Sequence, residues 1–146
     1  MATTIDIATD IRGRVDALDW EALETELDDK GHAVTVPVLT EDECDDLADL
    51  FDGGRFRSTI DMARYRFGDG RYRYFDHPLP DTIAALRASF YRHLAPIANS
   101  WSEHLSGDAP RFPDTHAELT AHLLRAIQSE LGQAAAREVG VSLGVN

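Results

Sequence analysis

From Ile83 onward, apolar residues recur at Leu86, Phe90, Leu94, Ile97, Trp101 and Leu105, in steps of three and four. That is the 3.6-residue period of an amphipathic helix, and it predicts a long core helix opening at Pro80-Asp81. Pro96 lies inside it and predicts a kink there. A second periodic series, Leu119, Leu123, Ile127, Leu131 and Ala134, predicts a final helix. Thr115 and Glu118 ahead of it have capping-box spacing. Trp20, Leu23 and Leu27 predict a third helix, with Asp19 as its cap and Gly31 as its stop. Thr40 and Glu43 form another capping box, and the helix they open would carry Cys44, Leu47, Ala48 and Phe51 on one face. Residues 1–17 fit a short amphipathic helix or a loose arm, and their composition does not choose between the two. The closing "VGVSLGVN" has no strong pattern.

The period changes twice. "HAVTVPVL" alternates apolar with small or polar residues and predicts a strand with Val34, Val36 and Val38 on one face. Pro37 has no backbone donor, so this would be an edge strand or one about to end. "ARYRFGDGRYRYF", residues 63–75, predicts a hairpin turning at Asp69-Gly70. That register pairs Phe67 with Tyr72 and Tyr65 with Tyr74, and sets Arg66 against Arg73. The four rings would then form one core-facing wall, with the arginines on the opposite face. Arginines directly opposed across a ladder repel unless an anion covers them. The expected anion is the chain's own acidic helix, and an anionic ligand is the alternative. The order is helix, strand, helix, a pair of strands and two helices, an α+β arrangement.

Charge sharpens that question. The 146 residues carry a net charge of -12, and Lys30 is the only lysine. Residues 1–54 hold 16 acidic and 3 basic residues, against 10 and 11 in residues 55–146. So acidic a chain is expected to repel phosphates, which argues against nucleic acid as a partner. Abundant aspartate with almost no lysine also fits adaptation to high salt. No run of eighteen apolar residues occurs, so no membrane partner is expected. The first residues lack the basic start and apolar centre of a secretory signal, and Cys44 is the only cysteine. Both point to a cytoplasmic protein.

Candidate chemistry is sparse. The acids at 42, 45, 46, 49 and 52 lack the alternation and glycine turn of a calcium loop and read as a solvated helix face. His32, His77, His93, His104, His116 and His122 make no metal spacing. Gly68-Asp69-Gly70 is too short for a phosphate loop and lacks the following Lys-Ser/Thr. No G-x-S-x-G elbow occurs. Cys44, on an apolar face among acids, is expected to be inert. The residues by themselves describe an acidic domain without a recognisable active site.

Two stretches add a resemblance. "LDWEALETELDDKGHAVTVPVLTEDECDDLADLF" looks like the opening of Fe(II)- and 2-oxoglutarate-dependent oxygenases. "FRSTIDMARYRFGDGRYRYFDHPLPDTIAALRASFYRHLAPIANSW", with "RFPDTHAEL", resembles a bacterial and archaeal group of these enzymes. The resemblance covers residues 19–119, leaving 1–18 as an N-terminal arm and 120–146 as a divergent helical tail. It implies a portion preceding a double-stranded β-helix, whose His-x-Asp pair and distant His would hold Fe(II) beside 2-oxoglutarate. His116-Ala117-Glu118 is the nearest spelling here, and its place at a helix start rules it out as that motif. No catalytic residue, metal ligand or cofactor is therefore expected in this chain by itself; Fe(II) and 2-oxoglutarate belong to the full-length family. The chain reads as a truncated or split oxygenase, inactive alone and partnered by a C-terminal barrel segment or a separate protein. In that setting Arg64, Arg66, Arg71 and Arg73 would line the substrate entrance. The alternative is a small acidic binding module that uses the arginine face. All 17 aspartates fall at or before Asp114, which an out-of-frame tail and a genuine alternative helix explain equally well.

Overall fold

The computed structural model describes residues 7–66, 68–106 and 111–142, with side chains over 10–66, 68–105 and 111–129. Helices α1 (Ile7–Asp16), α2 (Trp20–Lys30) and α3 (Glu41–Asp49) precede an antiparallel pair, β1 (Phe56–Asp61) and β2 (Arg71–Phe75). Helices α4 (Asp81–Ser106) and α5 (His116–Ser142) follow. The class is α+β. The chain forms two compact units, residues 1–90 and 91–146, with the boundary inside α4. No helix among the described residues is long and apolar enough to cross a membrane.

In the first unit the core forms around α1. Ile11 and Val15, one helical turn apart, are both fully buried and cluster with Ala85. Trp20, Val38, Leu39, Leu86 and Phe90 pack against that cluster. Trp20 donates its indole N–H to the Val15 carbonyl at 2.9 Å and sets its ring edge-on to Phe90, with centroids 6.0 Å apart. An indole buried this way contributes its apolar area without leaving a polar atom unpaired. For residues 7–16 the structure thus selects the helix over the loose arm; residues 1–6 lie outside the described part.

The caps form where the sequence places them. Asp19 accepts from the Ala22 N–H, and Gly31 closes α2 in the left-handed region at φ 73°. At α3 both halves of the Thr40/Glu43 box are made. Glu43 has a second role. Its two carboxylate oxygens take Arg14 Nη1 and Nη2 at 2.8 and 2.7 Å, tying α3 to α1. Arg14 also meets Asp10 at 2.9 Å and donates to the Val38 carbonyl. The guanidinium first, then the Thr40 N–H, hold the Glu43 carboxyl down at about 2, against the opposing pull of desolvation.

Three expectations need correction. Residues 32–38 form no strand: they carry no regular secondary structure, and the described sheet consists of β1 and β2 alone. Val38 packs against the Ile11, Val15 and Ala85 cluster, while Val34 and Val36 are exposed. Second, the apolar face of α3 is not buried: Cys44 and Phe51 are exposed, and Arg14 fixes the helix through its polar first turn instead. Third, the hairpin begins earlier than the alternation suggests, as described below.

The second unit is held by buried polar contacts. Asn99, 4% exposed, donates Nδ2 to the Phe112 carbonyl at 3.0 Å and accepts the Phe112 N–H at 2.7 Å. Tyr91 donates its hydroxyl to the Pro113 carbonyl, and its ring meets the His116 ring edge-on. Desolvation, then the nearby Glu118 and Asp114 carboxylates, raise the Tyr91 phenol and keep it a donor. The Thr115/Glu118 box opens α5. Helix α4 continues through Pro96 and buries Ala95 and Ile97. Leu94, Trp101, Leu105, Leu123, Leu124 and Ile127 remain exposed, since a periodic stripe names the face that could be buried without supplying its neighbour. Asn99→Ala should cost about 2 kcal/mol, because both Phe112 backbone groups lose their partner; chemical denaturation of the variant beside the parent measures it.

Candidate functional site

Strand β1 is "FRSTID" and β2 is "RYRYF", so residues 62–70 are the loop and not the arms of the hairpin. The register is Phe56↔Phe75, Ser58↔Tyr74, Thr59↔Arg73, Ile60↔Tyr72 and Asp61↔Arg71, with an irregularity between Phe56 and Ser58. Arg66 is therefore not opposed to Arg73. Thr59 is, and it accepts the Arg73 Nε–H at 3.0 Å. Asp61, not a cation, stands across from Arg71. Charge explains the choice, since this register removes the repulsion that the Asp69-Gly70 turn would have built in.

Local geometry folds the loop back. The Asp61 carboxylate accepts the Ala63 N–H at 3.1 Å, and residues 63–65 make a single 3-10 turn. Arg66 ends it in the left-handed region at φ 61°, a conformation uncommon for a residue with a Cβ. The Met62 N–H reaches the Gly70 carbonyl at 2.9 Å and closes the loop. Gly70, at φ 138°, has a backbone conformation that a side chain would strain. Tyr72 pairs with Ile60 and Tyr74 with Ser58, which overturns the expected Phe67–Tyr72 and Tyr65–Tyr74 pairs; Phe67 itself lies outside the described residues.

The two faces of the pair differ. Phe56 and Phe75 stack at 4.7 Å, and the Arg73 guanidinium lies 4.1 Å from the Phe56 centroid. Arg73 also donates to the Phe51 and Gly53 carbonyls. Its anion is thus a set of carbonyl dipoles, where the sequence suggested carboxylates. Tyr72 and Tyr74 share the other face, their rings at 5.6 Å in an edge-on pair. They are 44% and 47% exposed, and Tyr65 is 57% exposed, so the rings expected to form a core wall face solvent. Ile60, Met62, Tyr65 and Tyr72 line an open pocket of about 530 Å³. Desolvation first, then Tyr74 and Tyr65, raise the Tyr72 phenol, so it remains a neutral hydrogen-bond donor at physiological pH.

Arg64 and Arg66 flank Tyr65 in the loop and are exposed, as is Arg71 at the start of β2. Arg57, which the sequence reading did not single out, extends over the Tyr74 ring at 5.6 Å. It belongs to the ring face only because the irregularity beside it shifts the alternation of β1, and nothing in the sequence marks that irregularity. Ile60 and Met62 were missed because the sequence pattern placed the first arm at residues 63–67, whereas β1 is Phe56–Asp61. Residues 55–75 contain six arginines and two aspartates, so this element is basic within an acidic chain.

Among the described residues no three His, Cys, Asp or Glu side chains converge as a metal would require. Glu118, in the His116-Ala117-Glu118 stretch, is engaged by Thr115.

Residues 70–137 match a family described as "Oxygenase, catalysing oxidative methylation of damaged DNA". This stretch of the chain is related to an oxygenase family. It starts at the loop-closing Gly70 and takes in β2, α4 and most of α5. No curated protein and no solved structure matches the chain.

Proposed function

We propose that this chain is part of an Fe(II)/2-oxoglutarate-dependent oxygenase acting on DNA, and that the β1–β2 hairpin is its substrate-gripping element. The observation that carries the reading is the oxygenase match over residues 70–137, which includes Arg71, Tyr72, Arg73 and Tyr74. The exposed tyrosines offer stacking surfaces, and Arg57, Arg64, Arg66 and Arg71 offer cations for phosphate. The acidic charge of the whole chain does not decide this. At 0.15 M salt the screening length is about 8 Å, so a phosphate at the hairpin responds chiefly to the hairpin's own arginines. The iron ligands come from another segment or a partner chain, and the chain alone is inactive; no reaction step is assigned to the residues seen here.

Fluorescence anisotropy with a labelled, base-methylated 20-nucleotide DNA strand tests this. Changing Arg57, Arg64, Arg66 and Arg71 together to glutamine should weaken binding by roughly tenfold or more at low salt and flatten its salt dependence. Absence of binding by the parent chain at low salt, or an unchanged slope in the variant, contradicts the proposal.

A further inference from the structure

Arg73 is half-buried, whereas Arg64, Arg66 and Arg71 are exposed. Its guanidinium is spent on the chain's own groups. Nε donates to Thr59 Oγ1 at 3.0 Å. Nη1 donates to the Phe51 carbonyl and, at 3.2 Å, to the Gly53 carbonyl. The same group lies 4.1 Å from the Phe56 centroid and 5.6 Å from that of Phe51.

These contacts join separate elements. Helix α3 runs on into a 3-10 turn at Leu50–Asp52, and the Phe51 and Gly53 carbonyls stand at its end. Carbonyls at a helix terminus lack intrahelical donors and carry the negative end of its dipole, so they suit a cation. Thr59 belongs to β1 and Arg73 to β2. One side chain thus ties the turn to both strands. Lysine could not replace it, because the brace needs a fixed fork with donors in two directions and a planar face for the rings. Strand alternation also sets Arg73 on the face of β2 opposite Tyr72 and Tyr74. It therefore faces away from the rings that would stack on a base.

We propose that Arg73 is a positioning residue: it braces the hairpin against the 51–53 turn and makes no phosphate contact. The brace stands on these internal contacts; its consequence for DNA, that the tyrosine face and the exposed arginines are held in their gripping arrangement, rests on the proposed function.

Three variants test it. Arg73→Lys keeps the charge and loses the fork, and Arg73→Gln loses both. Thr59→Val removes the Nε acceptor, changes no charge and suits a strand. Arg71→Gln, which removes an exposed arginine of the same strand, is the control. Hydrogen-exchange mass spectrometry on the free chain reads the brace. Amides of residues 56–61 and 71–75 should exchange roughly tenfold faster in both Arg73 variants and roughly threefold faster in Thr59→Val. Arg71→Gln should match the parent there, and all four variants should match it over α1 and α2. Unchanged exchange in Arg73→Lys, or acceleration that spreads equally to α1 and α2, would overturn the proposal.

On the labelled DNA strand, Arg73→Lys should lose as much affinity as Arg73→Gln, roughly fivefold to tenfold, and Thr59→Val should weaken binding in the same direction. Rescue by lysine, or binding left unchanged or tightened by Thr59→Val, would make Arg73 a direct phosphate contact and overturn the proposal. The exchange measurement contains no DNA. Failure of the parent chain to bind DNA would therefore remove the proposed function while exchange still decides the brace, and the two readings fail separately.

Discussion

Ile11→Ala is expected to lower the unfolding free energy of the first unit by about 3 kcal/mol. Ile11 is fully buried and contacts the other members of the core cluster. Removing its outer carbons forfeits their transfer from water and leaves a cavity that the surrounding helices close only in part; isoleucine-to-alanine changes at such sites cost about 2–5 kcal/mol. Urea unfolding followed by tryptophan fluorescence measures it, because Trp20 packs on the same cluster. Val34→Ala is the companion measurement. At 82% exposure it should change stability by less than about 0.5 kcal/mol. Similar losses in the two variants would mean that α1 is not the centre of the core.

Arg14→Ala should cost about 2–3 kcal/mol at neutral pH, since it strands a half-buried Glu43 carboxylate as well as the Val38 carbonyl. The same pair makes a prediction in acid. Glu43 titrates at about 2 in the folded chain against an ordinary 4.5, so it binds a proton more weakly folded than unfolded. Its contribution is complete above pH 4.5 and is lost as pH falls from 4.5 through 2. That difference corresponds to at most about 3 kcal/mol. Glu43→Gln keeps the capping-box geometry and removes the charge. Its stability should therefore fall less than the parent's between pH 4.5 and 2, with the two curves converging near pH 2. Parallel curves over this range would show that the Arg14–Glu43 contact does not persist in solution.

Helix ends were readable because they depend on neighbours in sequence. Asp19, Gly31, Thr40 with Glu43, and Thr115 with Glu118 all act within four residues of their partners. The alternation in β2 was read correctly as well, with Tyr72 and Tyr74 on one face and Arg71 and Arg73 on the other. Its partner strand was not. "ARYRF" imitates "RYRYF" closely enough to suggest a symmetric hairpin, and only pairing energies decide against it. Setting Thr59 and Asp61 opposite Arg73 and Arg71 replaces opposed cations with an Arg73–Thr59 hydrogen bond and an acid facing a base. Of the four arginines named from sequence, Arg73 is fixed by backbone carbonyls and rings, whereas Arg64, Arg66 and Arg71 stay exposed. Arg57 joined them through an irregularity that no residue type announces.

The amino-acid order alone determined the α+β class, the helix caps, the uneven distribution of charge and the resemblance to an oxygenase, because each is written in residues adjacent or periodic along the chain. Tertiary structure decided which apolar residues are buried, which strand meets β2 and which arginines remain available. Those outcomes depend on what lies opposite each side chain, and residues such as Arg14 and Glu43 or Thr59 and Arg73 meet only once the chain has folded.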